Sequence, residues 1–311
     1  MYNPTKPYKN KIISLIRKTW HTPFISIKEG IYPIIRKKFD YSEVDHTDGI
    51  GTKGIYHWQK RAFKNAVLDA LAMNLNDLAM ARAIPYKLQN HIILPKDGHN
   101  AILKTLGYLS KECIKRKIAI TGGETSIHNN SDGLDISMTV SGFVIKPKPN
   151  QFRTGDLLIG IKSNGIHSNG FTRVREVFKS NYRPEFIVPT RIYLDQILEL
   201  DNKIKMNGLM HITGGAFTKL KQVLPKNCDI VINRDHKLKP HKVFYELYKR
   251  GTGDEEMYKT FNCGVGFVFS TSPVNIKKIL PCKDMAVLGQ IIPGKGKIKI
   301  ESVFSNKIVI Y

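Results

Sequence analysis

Residues 44–82 read VDHTDGIGTKGIYHWQKRAFKNAVLDALAMNLNDLAMAR, and two textures meet in them. Glycines cluster at Gly49, Gly51 and Gly54, where a chain can turn tightly. From about Arg61 to Arg82 the pattern then predicts one long helix. Between Ala66 and Ala81 that helix is apolar around most of its circumference, which marks a buried helix. Asp69, Asn76 and Asp77 interrupt the run, with Asp69 and Asn76 on nearly the same face. A buried carboxylate is costly unless paired or metal-bound. Together with Asp48 and Glu124, both placed in Gly-flanked turns, these positions point to a shared divalent cation. An all-oxygen set suits magnesium with a nucleoside triphosphate. A capped or salt-bridged helix end is the alternative for Asp77.

Outward from this stretch, strands and helices interleave. Upstream lie a helix over Lys9–Lys18 and an amphipathic piece over Ile27–Lys38. Downstream, an extended run Tyr86–Leu94, a helix Gly98–Lys115 and strands Ile118–Thr121 and Leu134–Ile145 lead to a Pro-containing linker at Lys146–Asn150. The second half adds strands over Leu157–Lys162, Leu209–Ile212, Ile230–Asn233, Gly264–Ser270, Ala286–Ile292 and Lys297–Val303. Its helices are Phe171–Phe178, one opened by Pro189-Thr190, Ala216–Val223 and Val243–Lys249. The expectation is an α/β (α+β) protein in two subdomains: an extension over 1–44, an N-terminal domain over 45–150 and a C-terminal domain over 151–311.

Three more Gly-containing turns follow strand-like runs: Thr121–Glu124, Asn164–Gly170 and His211–Gly215. Such turns at helix N-termini offer amides to phosphate. The Gly49-x-Gly51-x-x-Gly54 spacing also fits a dinucleotide fingerprint. That motif needs an apolar strand before its first glycine, however, whereas Asp45–Asp48 is polar.

The 311 residues are 41% hydrophobic and 24% charged, with no apolar run near the ~18 residues of a membrane span. With no secretory h-region at the N-terminus, a cytoplasmic protein without a membrane partner is expected. Lys+Arg 49 against Asp+Glu 26 gives +23. The basic residues are mostly scattered lysines without interleaved aromatics, so no specific nucleic-acid partner is expected. Cys113, Cys228, Cys263 and Cys282 lack zinc spacing and read as reduced thiols.

Several segments together resemble the aminoimidazole ribonucleotide synthetase family. They are Thr47–Lys53 (TDGIGTK), Leu68–Leu78 (LDALAMNLNDL), Thr121–Thr125 (TGGET), His167–Gly170 (HSNG), Pro189–Tyr193 (PTRIY), His211–Gly215 (HITGG) and Glu256–Gly266 (EMYKTFNCGVG). The resemblance implies an N-terminal sheet closing into an intersubunit β-barrel, a C-terminal α/β sandwich, a homodimer, and ATP-dependent ring closure of formylglycinamidine ribonucleotide with ATP and Mg2+. It implies metal contacts from Asp48, Asp69, Asp77 and Glu124, and catalytic roles for Lys53, Asp77, Asn169 and His211. ATP and phosphate contacts would come from Asp48, Gly49, Gly51, Thr52, Lys53, Asn76, Gly122, Gly123, His167, Ser168 and Asn169. Substrate contacts would come from Arg191, Thr213, Gly214, Gly215 and Asn262. His57 and His91 match no family motif and read as surface or packing residues.

The chain departs from the family in its N-terminal nucleotide-covering loop, where Thr19–Ile35 stands instead. It departs again at Arg82–Pro85, at Asn90 in place of an aspartate, and at Ser126–Asn129. Two alternatives stay open on these grounds: a ribonucleotide-binding relative without turnover, and a sibling ATP-dependent enzyme with another acceptor.

Overall fold

The computed structural model describes residues 8–30, 32–96, 98–279 and 281–311. The chain divides into two compact units, Met1–Pro147 and Lys148–Tyr311. In the first, α1 (Lys9–Arg17) precedes a hairpin of β1 (Ile25–Lys28) and β2 (Ile34–Lys37), then β3 (Ser42–Gly49), α2 (Gly54–Gln59) and α3 (Phe63–Met80). β4 (Ile84–Leu94), α4 (His99–Arg116), β5 (Ala119–Ile127) and β6 (Asp135–Val144) complete it. The strands outside the hairpin form a sheet in the order β3-β6-β4-β5, with β4 and β5 parallel and the other pairs antiparallel.

Side chains alternate across this sheet, as strand geometry requires. Leu88, Ile92, Ile136, Met138 and Val140 are buried, on the side where α3 packs against β3 and β6. The opposite face carries Thr47, Gln89, His91, Ser137 and Thr139. This explains why the polar run Asp45–Asp48 is a strand. It lies on a sheet edge with one face open, so only every second residue needs a partner in the core.

The amphipathic piece at Ile27–Lys38 is the hairpin, and it is no separate extension. It covers one end of the sheet through a cluster of Ile25, Tyr86, Ala119 and Phe143, joined by Trp20, Phe24 and Phe39. Phe39 stacks on Phe143 at 4.3 Å between ring centroids. Gly122-Gly123-Glu124 is not a turn: β5 continues through it, paired with Gln89–His91 of β4 after the register slips by one residue at Thr121. Glycine is needed at 123 because a Cβ there would come within 2.8 Å of the Asn90 backbone oxygen.

The second unit contains β7 (Leu157–Lys162), α5 (Phe171–Phe178), α6 (Leu194–Lys203), β8 (Leu209–His211) and β9 (Cys228–Ile232). These are followed by α7 (Lys242–Lys249), α8 (Asp254–Thr260), β10 (Val265–Thr271), α9 (Ile276–Ile279), β11 (Met285–Pro293), β12 (Ile298–Glu301) and β13 (Ile308–Ile310). The sheet order is β13-β12-β9-β11-β7-β10-β8, antiparallel except between β9 and β12. Pro189-Thr190 does not open a helix, since α6 begins only at Leu194. The Asn164 amide donates to the Pro189 carbonyl, and the Thr190 hydroxyl meets that of Ser168. The sequence reading has no counterpart for α8, although Asp254-Glu255-Glu256 in its first turn suits a helix N-terminus. Cys113, Cys228 and Cys263 are buried free thiols. Among the described residues no helix is long and apolar enough to cross a membrane.

Gly54 starts α2 with the Leu134 carbonyl 1.7 Å from where a Cβ would stand. Gly54→Ala should therefore destabilise the first unit by about 1–3 kcal/mol, the usual cost of forcing a methyl into a packed site. Urea unfolding that shows no shift of the midpoint would contradict this packing.

Candidate active site

Residues 50–53 join β3 to α2, and the lysine among them turns inward. Lys53 Nζ lies 3.0 Å from Asp69 Oδ1 and 2.9 Å from Oδ2, while His57 Nε2 lies 2.7 Å from Oδ2. All three side chains are 0% exposed. Burial pushes the Lys53 ammonium down from its ordinary pKa and does the same to His57, which stays neutral. Burial alone would raise Asp69, but the Lys53 charge and the His57 hydrogen bond hold its carboxyl well below the carboxylate range. The imidazole donates Nε2–H to the carboxylate, and its Nδ1 is left without a hydrogen-bond partner.

Lys53 is thus the counter-ion of Asp69 inside the core, and Asp69 is closed off from solvent. Of the two readings open for His57, surface or packing, its burial fits packing, as a neutral hydrogen-bond donor to that carboxylate.

One turn further along α3, His46 Nδ1 lies 3.1 Å from Asn74 Oδ1 and its Nε2 lies 3.1 Å from Asp77 Oδ2. The Asn74 amide donates to the Asp48 carbonyl at 3.1 Å, so its oxygen is the acceptor for His46. With acceptors on both ring nitrogens, the imidazolium is favoured. The hydrogen bond to Asp77 raises the His46 pKa above its usual value, and burial only partly opposes it. Asp77 is thus the partner of a strand histidine. Asn76 is fully buried.

The open face of the sheet carries a cleft of about 400 Å³ whose lining includes Thr47, Gln89, His91, Glu124, Ser137 and Thr139. His91 Nε2 meets the Ser126 hydroxyl at 2.9 Å. Glu124 is exposed here, at the edge strand, and Gly51 and Thr52 are exposed on their loop. Asp48, at the end of β3, and Asp77 both lie near His46, whereas Asp69 is in the buried cluster and Glu124 is on the open face. Among the described residues no three His, Cys, Asp or Glu side chains are placed to hold a metal ion. The four carboxylates do not fit a preformed magnesium cage.

In the second unit, the loop Ser163–Gly170 and the His211–Gly215 turn come together. The Asn169 amide donates to the Thr213 hydroxyl, and a Cβ on Gly214 would stand 3.4 Å from Asn169 Oδ1. Gly214 and Gly215 are exposed, with Gly215 at φ +81°, a conformation that favours glycine. Behind this surface stand the residues that hold it. Asn262 donates to the carbonyls of Gly165 and Ile166 at 2.9 and 3.1 Å and accepts from Ser163 Oγ at 2.8 Å and Gly264 N at 2.9 Å. All four of its hydrogen-bonding positions are filled within the chain, so it clamps the loop and leaves nothing for a substrate. The Arg191 guanidinium is engaged by Asp284, Gln196 and the Lys162 carbonyl. His211 is buried on β8 and stacked with Phe267, and His167 is buried with Nε2 on Asn164. These positions support the loop. Asn169, Gly214 and Gly215 are brought to a common surface, with Thr213 buried beneath them.

Sequence reasoning missed His46 and the polar stripe of Gln89, His91 and Thr139. The period-two alternation of polar residues in β3 and β4 was the signal that could have found them.

Asp69→Asn should cost about 3–5 kcal/mol, because it leaves the Lys53 charge buried without a counter-ion. Adding Lys53→Met should recover part of that loss. A single variant as stable as the parent in urea would show that the cluster is not ionic. The His46 contact has the opposite sign to a carboxylate. With its pKa raised in the folded state, its stabilisation is complete below 6.5 and fades as pH climbs past the raised value. The stability gap between the parent and His46→Gln should therefore shrink with rising pH; a gap that widens would refute the imidazolium.

Residues 34–144 match the AIR synthase related protein, N-terminal domain, and residues 153–301 match its C-terminal domain. The phosphoribosylformylglycinamidine cyclo-ligase of Saccharolobus solfataricus is 35% identical over 97% of this chain and 94% of its own. The Methanococcus vannielii cyclo-ligase is 33% identical over 87% of this chain and 83% of its own. A hydrogenase maturation protein, HypE, solved in complex with ATP, shares the fold at TM-score 0.71 and 14% identity, over 99% of this chain and 95% of its own. Two domain matches in order and a relationship that runs nearly end to end place this chain in the AIR synthase related family.

Proposed function

We propose that this chain is a phosphoribosylformylglycinamidine cyclo-ligase, which spends ATP to close formylglycinamidine ribonucleotide into aminoimidazole ribonucleotide. The observation that carries the proposal is the 35% identity to a cyclo-ligase across 97% of the chain, a match that runs through both units. The ATP-bound structural relative supports the use of ATP.

The chemistry sets what the residues must do. A formamide oxygen is a poor leaving group, so the oxygen is first phosphorylated by ATP, with ADP leaving. The amidine-chain nitrogen then attacks the activated carbon, and phosphate departs with the former formyl oxygen. Most of the protein's share is positioning and charge stabilisation. In the first unit, the Gly49–Thr52 loop and the cleft beside Glu124 are the surfaces offered to the triphosphate. The Lys53 cluster fixes that loop from beneath. In the second unit, Asn169 and the Gly214-Gly215 amides are offered to the ribonucleotide, with Thr213 holding the Asn169 amide from behind. A homodimer belongs to this reading. The outer strands of the first sheet are β3 and β5, and the backbone groups of β3 are what a partner would pair.

Oxygen-18 in the formyl group of the substrate should appear in the inorganic phosphate released, one label for each ring closed. Labelled water with unlabelled phosphate would show that ATP is not activating that oxygen.

A further inference from the structure

A second cleft, of about 320 Å³, lies where α2 hands over to α3 and the β4–α4 connection returns. Its lining includes Trp58, Arg61, Lys96, Gly98, Asn100 and Lys104. The Arg61 guanidinium lies over the Trp58 ring, 4.2 Å from its centroid. Trp58 is packed edge-on by Phe63, which fixes the indole as a rigid floor. Lys96, Asn100 and Lys104 are exposed around it. No ion pair joins Arg61, Lys96 or Lys104 to a carboxylate of the described residues. The start of α4 faces the same space, with neither a side-chain cap nor an acidic residue in its first turn.

The backbone explains how the arginine reaches that place. Arg61 sits at φ +54°, just after α2, in the left-handed conformation that also ends α3 at Arg82 and α4 at Lys117. From there its guanidinium is carried over the indole, beside two ammonium groups.

From this geometry we propose that the cleft binds a phosphomonoester carried on a flat ring, of mononucleotide size. The three cations and the first amides of α4 take the phosphate. The layered Arg61–Trp58 platform takes the ring by stacking. The volume is at the small end of ligand pockets and too small for a folded macromolecular partner. Nothing in this proposal depends on the cyclo-ligase activity, and its test does not measure turnover.

The chain has two tryptophans, so its nitrogen-15 spectrum contains two indole signals. Trp20 donates to the Ile120 carbonyl and serves as the internal reference. Titration with adenosine 5′-monophosphate should move the Trp58 signal saturably and leave that of Trp20 in place. The exposed double variant Lys96→Glu/Lys104→Glu should weaken this binding at least tenfold, and Arg61→Gly, which suits the left-handed backbone, should weaken it too. Adenosine without phosphate, and inorganic phosphate alone, should each bind at least tenfold more weakly than the monophosphate. A Trp58 signal that stays fixed, or one that moves equally in the charge-reversed variant, would overturn the site. Equal binding of adenosine or of inorganic phosphate would overturn the ligand class. So would a single-stranded oligonucleotide that binds more tightly than the monophosphate.

Discussion

A carboxylate inside an apolar helix has to be neutralised, and in this chain the Asp69 charge organises three successive pieces of the first unit. Asp69 stands on α3, its partners come from the loop before α2 (Lys53) and from α2 itself (His57), and all three side chains are removed from water. In such a place an unpaired charge is far more costly than a pair, so the loop cannot leave without stranding Asp69. The consequence reaches the surface. Asn74, one turn along α3, holds the Asp48 carbonyl and orients His46. The conformation of the Gly49–Thr52 loop is thus set from below, by an ion pair that no ligand can reach.

Where elements are periodic and long, the sequence was easily read. α3, α4 and the central strands β4 and β6 fall within a few residues of their expected limits, because burial on one or all sides leaves a regular apolar pattern. β3 and the second half of β5 were harder for one physical reason. Both lie at sheet edges with an open face, so polar residues and glycines carry no penalty there, and their composition imitates a turn. The hairpin at Ile25–Lys37 has the same ambiguity, being too short to show a period.

The location of the functional segments was legible, and the duties within them were not. Family motifs mix the residues that face a ligand with those that hold them, and a motif does not separate the two. Asn262 and Arg191 lie in two such segments, yet their bonds are spent on the loop Ser163–Gly170 and on Asp284. In the same way, a buried aspartate looks alike in sequence whether its counter-ion is a metal or a lysine 16 residues upstream. Only the fold brings Lys53 back, and with it the choice between a ligand site and a structural ion pair.

The covering hairpin and its neighbours also set a timetable. Trp20 bonds to Ile120, Thr22 to Lys117 and Ser110 to Leu15, so the earliest segment of the chain is anchored to residues 95–100 positions later. During synthesis those anchors emerge only on the order of 5–20 seconds after the segment that needs them, at ordinary translation rates. Until then Trp20, Phe24 and Phe39 have no sheet to cover. The ribosome-bound chain therefore passes through a period in which this aromatic segment is in water, and its exposure is greatest during translation rather than in the finished fold.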